Sequence, residues 1–176
     1  VVDENGEPLV VYHGTDAVFD VFDSEAKSKT GHPSHRLGFY FTKSKNIAED
    51  FSRDNSDSAG FAFSKNTINR VIPAFLNIRN PEVMTRQKFS NELGVSRHST
   101  KEYGFMRTPK GWYEYKQQLI SNQKDGVLIE KETRHSVSAE FLDDTFVAFS
   151  ALQIKSATAN IGTFDGSDPN ILFQEA

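Results

Sequence analysis

Apolar residues gather in short runs separated by polar turns along most of the chain, and few stretches show helical spacing. Asn5-Gly6-Glu7-Pro8 is a turn signal, and Leu9-Val10-Val11-Tyr12-His13 predicts a first strand that Gly14-Thr15-Asp16 ends. Residues 24 to 37 are polar and predict a loop; Gly38-Phe39-Tyr40-Phe41-Thr42 predicts a second short strand. Ser44 is an expected N-cap for a helix from Asn46 to Phe51. Arg53 to Gly60 is loop-like, and Phe61-Ala62-Phe63 fits a short strand or the same loop. Asn69 to Ile78 predicts a strand, with Pro73 arguing for a sheet edge or a bulge.

The second half continues the pattern. A helix is expected from Thr85 to Leu93, closed by Gly94. Thr108-Pro109 opens another, and Trp112, Tyr115 and Leu119 at helical spacing carry it to about Gln123. Asp125-Gly126 turns the chain into Val127-Leu128-Ile129, and residues 130 to 143 form a charged loop. Thr145 to Phe149 is the last clear strand, and Gln153-Ile154-Lys155 fits a short strand or edge. Several short strands, few helices and no repeat predict an α+β class and exclude a doubly wound parallel sheet.

Length and composition narrow the class. A chain of 176 residues suits one domain, taken here as 1–176, with a core that needs no staples. Fifteen phenylalanines, many in strand-like runs, suit a sheet-rich core. The absence of cysteine removes disulfides, thiolate nucleophiles and Cys-type zinc sites. A net charge of −4 with scattered Lys and Arg gives no basic stripe for a long nucleic-acid footprint. No apolar run is long enough for a membrane span and no secretion leader is visible, so no membrane partner is expected. The first residue is Val1, and the chain reads as a piece excised from a longer polypeptide, monomeric by itself.

Three segments carry candidate chemistry. In Tyr12-His13-Gly14-Thr15 an imidazole sits where a strand opens into a loop, and Gly14 permits a flat carboxamide to approach the main chain. A strand-ending histidine bonded within its own loop is the ordinary alternative. In Gly38-Phe39-Tyr40-Phe41-Thr42, Tyr40 faces away from Phe39 and Phe41, and Phe51 follows eleven positions later on the expected helix. Two aromatic faces suit a planar ring such as nicotinamide; core packing suits them equally. In Asp144-Thr145-Phe146-Val147-Ala148-Phe149 a polar strand start could hold a ribose hydroxyl or steady positive charge on a sugar, or lie in solvent. His32, His35 and Arg36 share a polar loop and could touch phosphates; His98 and His135 read as surface residues. No zinc spacing, Walker loop or dinucleotide glycine fingerprint is present.

Taken in order, these segments resemble the ADP-ribosyltransferase superfamily, in its His–Tyr–Glu branch with diphtheria toxin and the poly(ADP-ribose) polymerases. The matching positions are His13-Gly14-Thr15, Gly38-Phe39-Tyr40-Phe41 and Phe51. The likeness is closer still to the ADP-ribosyltransferase domains of phage and mobile-element polyvalent proteins. They share the opening Asp3 to Thr15, Asp125-Gly126-Val127, and a close like Gln153-Ile154-Lys155-Ser156-Ala157 with Asn160 and Gly162-Thr163-Phe164-Asp165. The resemblance implies a split β-sandwich of two small, mainly antiparallel sheets with NAD between them as substrate, and no metal. It implies that His13 bonds a ribose, Gly14 grips the carboxamide, and Tyr40 and Phe51 pack on nicotinamide; Thr15 adds a hydroxyl, and two phosphates in a net acidic domain call for a local cation. Arg36 is the first choice for that cation and His35 the second.

At the place of the family's glutamate stands Thr145, with Asp144 beside it and Gln153 as a third candidate. Asp144 would serve only if the strand start bulged. The resemblance therefore implies transfer of a single ADP-ribose to a host protein or nucleic acid, in the cytoplasm of a bacterial host, in a phage or toxin setting. An NAD glycohydrolase and a degenerate NAD-binding module are the alternatives. The 130–143 stretch is the expected acceptor-side loop.

Overall fold

The structure, a computed structural model, describes residues 1–25, 33–53, 70–92, 109–131, 143–159 and 166–171. In chain order the elements are β1 (Val11–Thr15), β2 (Phe39–Thr42), α1 (Lys45–Ser52), β3 (Arg70–Leu76), β4 (Glu82–Thr85), α2 (Arg86–Glu92), α3 (Pro109–Ser121), β5 (Gly126–Glu130), β6 (Thr145–Ala148) and β7 (Ile154–Ser156). Single turns of 3-10 helix occupy Pro33–Arg36 and Ala151–Gln153. Expectations for His32, Phe61-Ala62-Phe63, Gly94, His98, Thr108, His135, most of 130–143 and Asn160 to Asp165 lie outside the described residues.

The strands form one seven-stranded sheet in the order β4-β5-β6-β2-β1-β3-β7. Every pair is antiparallel except β4 with β5, which run parallel. The α+β expectation holds. The resemblance implied two small facing sheets; in the structure β4-β5-β6-β2 and β1-β3-β7 are joined in one sheet along a narrow seam where β1 and β2 register at Tyr12↔Thr42. Flanking ladders are longer: β1 and β3 register from Val11↔Ala74 to Thr15↔Arg70, and β2 and β6 from Phe39↔Ala148 to Thr42↔Thr145.

Strand alternation divides the apolar residues between the two faces. On one face Val11, Phe41, Ile72, Ala74, Phe146 and Ala148 pack with Phe22 and Ile171 from the neighbouring segments. On the other, Val127, Ile129 and Val147 pack under Trp112 and Leu119 of α3 and Phe89 of α2. The helix α1 packs over the end of β1, at Gly14, on this second face. Its N-terminus is closed by Ser44, whose side chain accepts from Ile47 N, a cap worth about 1 kcal/mol. Among the described residues no helix is long and apolar enough to cross a membrane.

Pro73 sits at an edge of the pairing rather than a bulge: its register with β1 runs unbroken through Tyr12↔Pro73, and the ladder of β3 with β7 begins only at Ala74. The carbonyl of Pro73 accepts from Ala157 N, just beyond the last residue of β7. Its missing N–H points to the same side as that carbonyl, where the ladder with β7 ends, so the pairing with β1 is kept. The strand β4 and both 3-10 turns were not expected from the sequence.

Candidate functional site

The seam between the half-sheets brings His13 and Tyr40 together, through the main chain. His13 Nδ1 lies 2.8 Å from the carbonyl oxygen of Tyr40. A carbonyl only accepts, so Nδ1 carries the proton, and Nε2 of the neutral ring keeps its lone pair. Burial lowers the His13 pKa from 6.5, and the hydrogen bond to Tyr40 opposes this only in part. The neutral form is favoured, with one acceptor nitrogen uncommitted to that bond.

The two rings diverge. The His13 imidazole packs on Phe22 at 5.0 Å and on Phe41 at 5.4 Å, between ring centroids, on the first face of the sheet. Tyr40 pairs with Val147 in β6 and packs with the α3-side core on the second face. Its hydroxyl donates to Ser34 O at 3.0 Å, and burial raises its pKa. The two side chains are thus not walls of one slot: they lie on opposite faces of the sheet, and the His13 ring meets Tyr40 at its main-chain carbonyl.

Gly14 shares the second face with Tyr40, Thr42 and Thr145, through the pairs Tyr12↔Thr42 and Thr42↔Thr145 and strand alternation. A Cβ on Gly14 would lie 1.9 Å from Ala48 O and 2.9 Å from Ser52 N, so glycine lets α1 sit directly on β1. That contact places Phe51 near the seam with its side chain turned outward, 55% exposed. No ring contact joins Phe51 to Tyr40 among the described residues. Thr15 ends β1 opposite Arg70, and its hydroxyl accepts from Ala17 N at 3.1 Å.

The three candidates for the glutamate position separate cleanly. Thr145 lies on the second face opposite Thr42, in unbroken register. Asp144 is drawn elsewhere: Oδ2 receives Lys43 Nζ at 2.6 Å and Oδ1 receives Lys131 N at 3.0 Å. Lys43 lies 5.8 Å from the Phe146 ring centroid, on the first face. The bulge needed to swing Asp144 beside Thr145 is absent. Burial pushes the Asp144 carboxyl up, but the bonds from Lys43 and Lys131 and their charges outweigh it and hold it below the usual carboxylate range.

Gln153 is also corrected: its amide is fully used inside the fold. Oε1 accepts from Phe149 N at 2.8 Å and Ser150 N at 2.9 Å; Nε2 donates to Asn77 O at 3.1 Å and Asp125 O at 2.7 Å. Two lone pairs and two protons are spoken for, so none is left for a ribose or a nucleophile. Ser150 and Gln153 form a capping box over the 3-10 turn, a Ser-x-x-Gln signal that was legible in the sequence.

Arg36 ends its 3-10 turn two residues after Ser34, and its Nη1 meets Glu25 Oε2 at 2.7 Å. Sequence reasoning missed Ser34, Thr42, Lys43 and Glu25. Only the paired strands reveal them, since Lys43 and Asp144 are 101 positions apart. Among the described residues no cluster of three or more metal-ligating side chains occurs.

No curated protein and no solved structure matches the chain significantly. The model of the family described as ADP-ribosyltransferase in polyvalent proteins matches residues 3–164, nearly the whole chain. The chain belongs to the ADP-ribosyltransferase family of polyvalent proteins.

Proposed function

We propose that this domain is a mono-ADP-ribosyltransferase that cleaves NAD between nicotinamide and ribose and transfers ADP-ribose to a macromolecule of a bacterial host. The family supports ADP-ribosyl transfer in general, with NAD as substrate. The observation that carries the finer reading is the His13–Tyr40 bond, which favours a neutral imidazole whose Nε2 keeps its lone pair. In this reading Nε2 accepts a ribose hydroxyl, the main chain at Gly14 meets the carboxamide and Phe51 stacks on nicotinamide, while Tyr40 holds the seam through its carbonyl and its hydroxyl bond to Ser34. Arg36 offsets diphosphate charge in a domain whose net charge is −4. Thr145 bonds the second ribose. NAD itself supplies a glycosidic bond to a cationic pyridinium ring, whose rupture releases neutral nicotinamide and leaves the positive charge on the sugar.

Threonine stands in place of a carboxylate on the second face, and Asp144 is engaged by Lys43. This favours a slow transferase adding one ADP-ribose unit. It also gives weight to two other readings, an NAD glycohydrolase and an NAD-binding module without turnover. A phage or toxin setting, action in the host cytoplasm and a monomeric domain complete the proposal.

The test is transfer of label from NAD carrying a marked adenylate to components of a bacterial extract, with mass spectrometry of the products. His13→Ala and Tyr40→Ala should each lower transfer at least a hundredfold. Free ADP-ribose formed without any acceptor would select the hydrolase. NAD binding by calorimetry with no product would select the binding module.

A further inference from the structure

We infer that Glu25 is an internal stand-in for a phosphate of the dinucleotide: it holds the Arg36 guanidinium and must leave before NAD seats. The inference rests on the NAD reading above and adds a residue to it. Glu25 follows Phe22 by three positions, and the Phe22 ring lies 5.0 Å from His13. Arg36 follows Ser34 by two, and Ser34 O receives the Tyr40 hydroxyl at 3.0 Å. The Arg36–Glu25 pair, at 2.7 Å, therefore bridges the segment behind His13 to the turn beside Tyr40.

The pair is asymmetric. The Arg36 side chain is 30% exposed and also donates from Nη1 to Ser24 O at 3.4 Å, whereas Glu25 is 77% exposed. The cation is the more buried partner and the anion reaches in from solvent, so the two can part without disturbing the core. Lys116, on the helix that packs against this turn, feels the charge of Glu25 as well, while its Nζ donates to Phe149 O at 2.5 Å. An oxyanion here thus meets one cation directly and a second through space, the surroundings a phosphate seeks. Asp20 and Asp23 on the same segment make this edge acidic. An incoming diphosphate is repelled until Arg36 is released to it, because the Nη1 that faces Glu25 cannot serve both anions fully.

Calorimetry on the full chain tests this with three probes: NAD, ADP-ribose and nicotinamide. Glu25→Gln keeps the shape and removes the competing charge. It should tighten NAD and ADP-ribose by about two- to fivefold, the range an exposed ion pair supplies, and leave nicotinamide unchanged. The gain should shrink in high salt and vanish in an Arg36→Ala background. Glu25→Ala should behave like Glu25→Gln. If the wild-type chain binds NAD and either Glu25 variant binds it no better, the inference is overturned and the NAD reading stands. An equal gain with Arg36 absent also overturns it. If the wild-type chain binds neither NAD nor ADP-ribose, both readings fall together.

Discussion

Gly14→Ala is the sharpest test of how the seam is built. Gly14 is in ordinary strand geometry, since Gly6 is the glycine with positive φ among the described residues. The demand at position 14 is therefore for space. An added Cβ would stand 1.9 Å from Ala48 O, 2.9 Å from Ala48 C and 2.9 Å from Ser52 N. All three are backbone atoms of α1, and no side-chain rotation relieves them. To regain ordinary contact α1 must retreat by about 1.5 Å, opening its packing on β1. Overpacking of this kind costs about 1–3 kcal/mol, and rigid backbone puts it at the upper end. The reduced freedom of the unfolded alanine chain returns less than about 1 kcal/mol. A net loss of about 2–3 kcal/mol lowers Tm by roughly 5–10 °C in a domain of this size. Urea unfolding and a thermal scan read both values. Gly166→Ala, with nothing within 4 Å of its Cβ, is the control expected to stay within about 0.5 kcal/mol of wild type. A Gly14→Ala variant as stable as that control would refute the direct seating of α1 on β1.

Three further outcomes follow from the same geometry. Gln153→Ala should cost about 2–4 kcal/mol by urea unfolding, because Asn77 O and Asp125 O lose their donor and the Phe149 and Ser150 amides their acceptor; a change under about 0.5 kcal/mol would restore Gln153 as a free site residue. His13 has a folded pKa below its unfolded value of 6.5, so between the two the unfolded chain binds more protons and stability rises with pH. Its contribution is complete above about pH 7 and is lost as pH falls through 6.5 and below; His13→Gln should flatten that part of a stability–pH curve, and an unchanged slope would contradict the neutral ring. Thr145→Glu places a carboxylate on the face shared with Thr42 and Tyr40 and should raise NAD cleavage tenfold or more, read as nicotinamide release; equal or lower release from a folded variant would show that charge at this position is not what limits the reaction.

Local chemistry determined much of this protein. Ser44 marked the start of α1, Pro109 that of α3, and the alternation in Phe39-Tyr40-Phe41 assigned opposite faces to Tyr40 and its neighbours before any partner strand was known. Gly14 beside His13 was legible as a place of close approach, although the approaching group in the structure is the backbone of α1. These features depend on a few consecutive residues, whose capping, conformational and steric preferences act at short range. Tertiary structure decided the rest. The hydrogen bond from His13 to Tyr40 spans 27 positions, the bond that draws Asp144 to Lys43 spans 101, and the Nε2 bond of Gln153 to Asn77 spans 76. Each depends on which strands pair and in what register, and register is fixed by burying two faces of one sheet at once, a condition that no single segment contains.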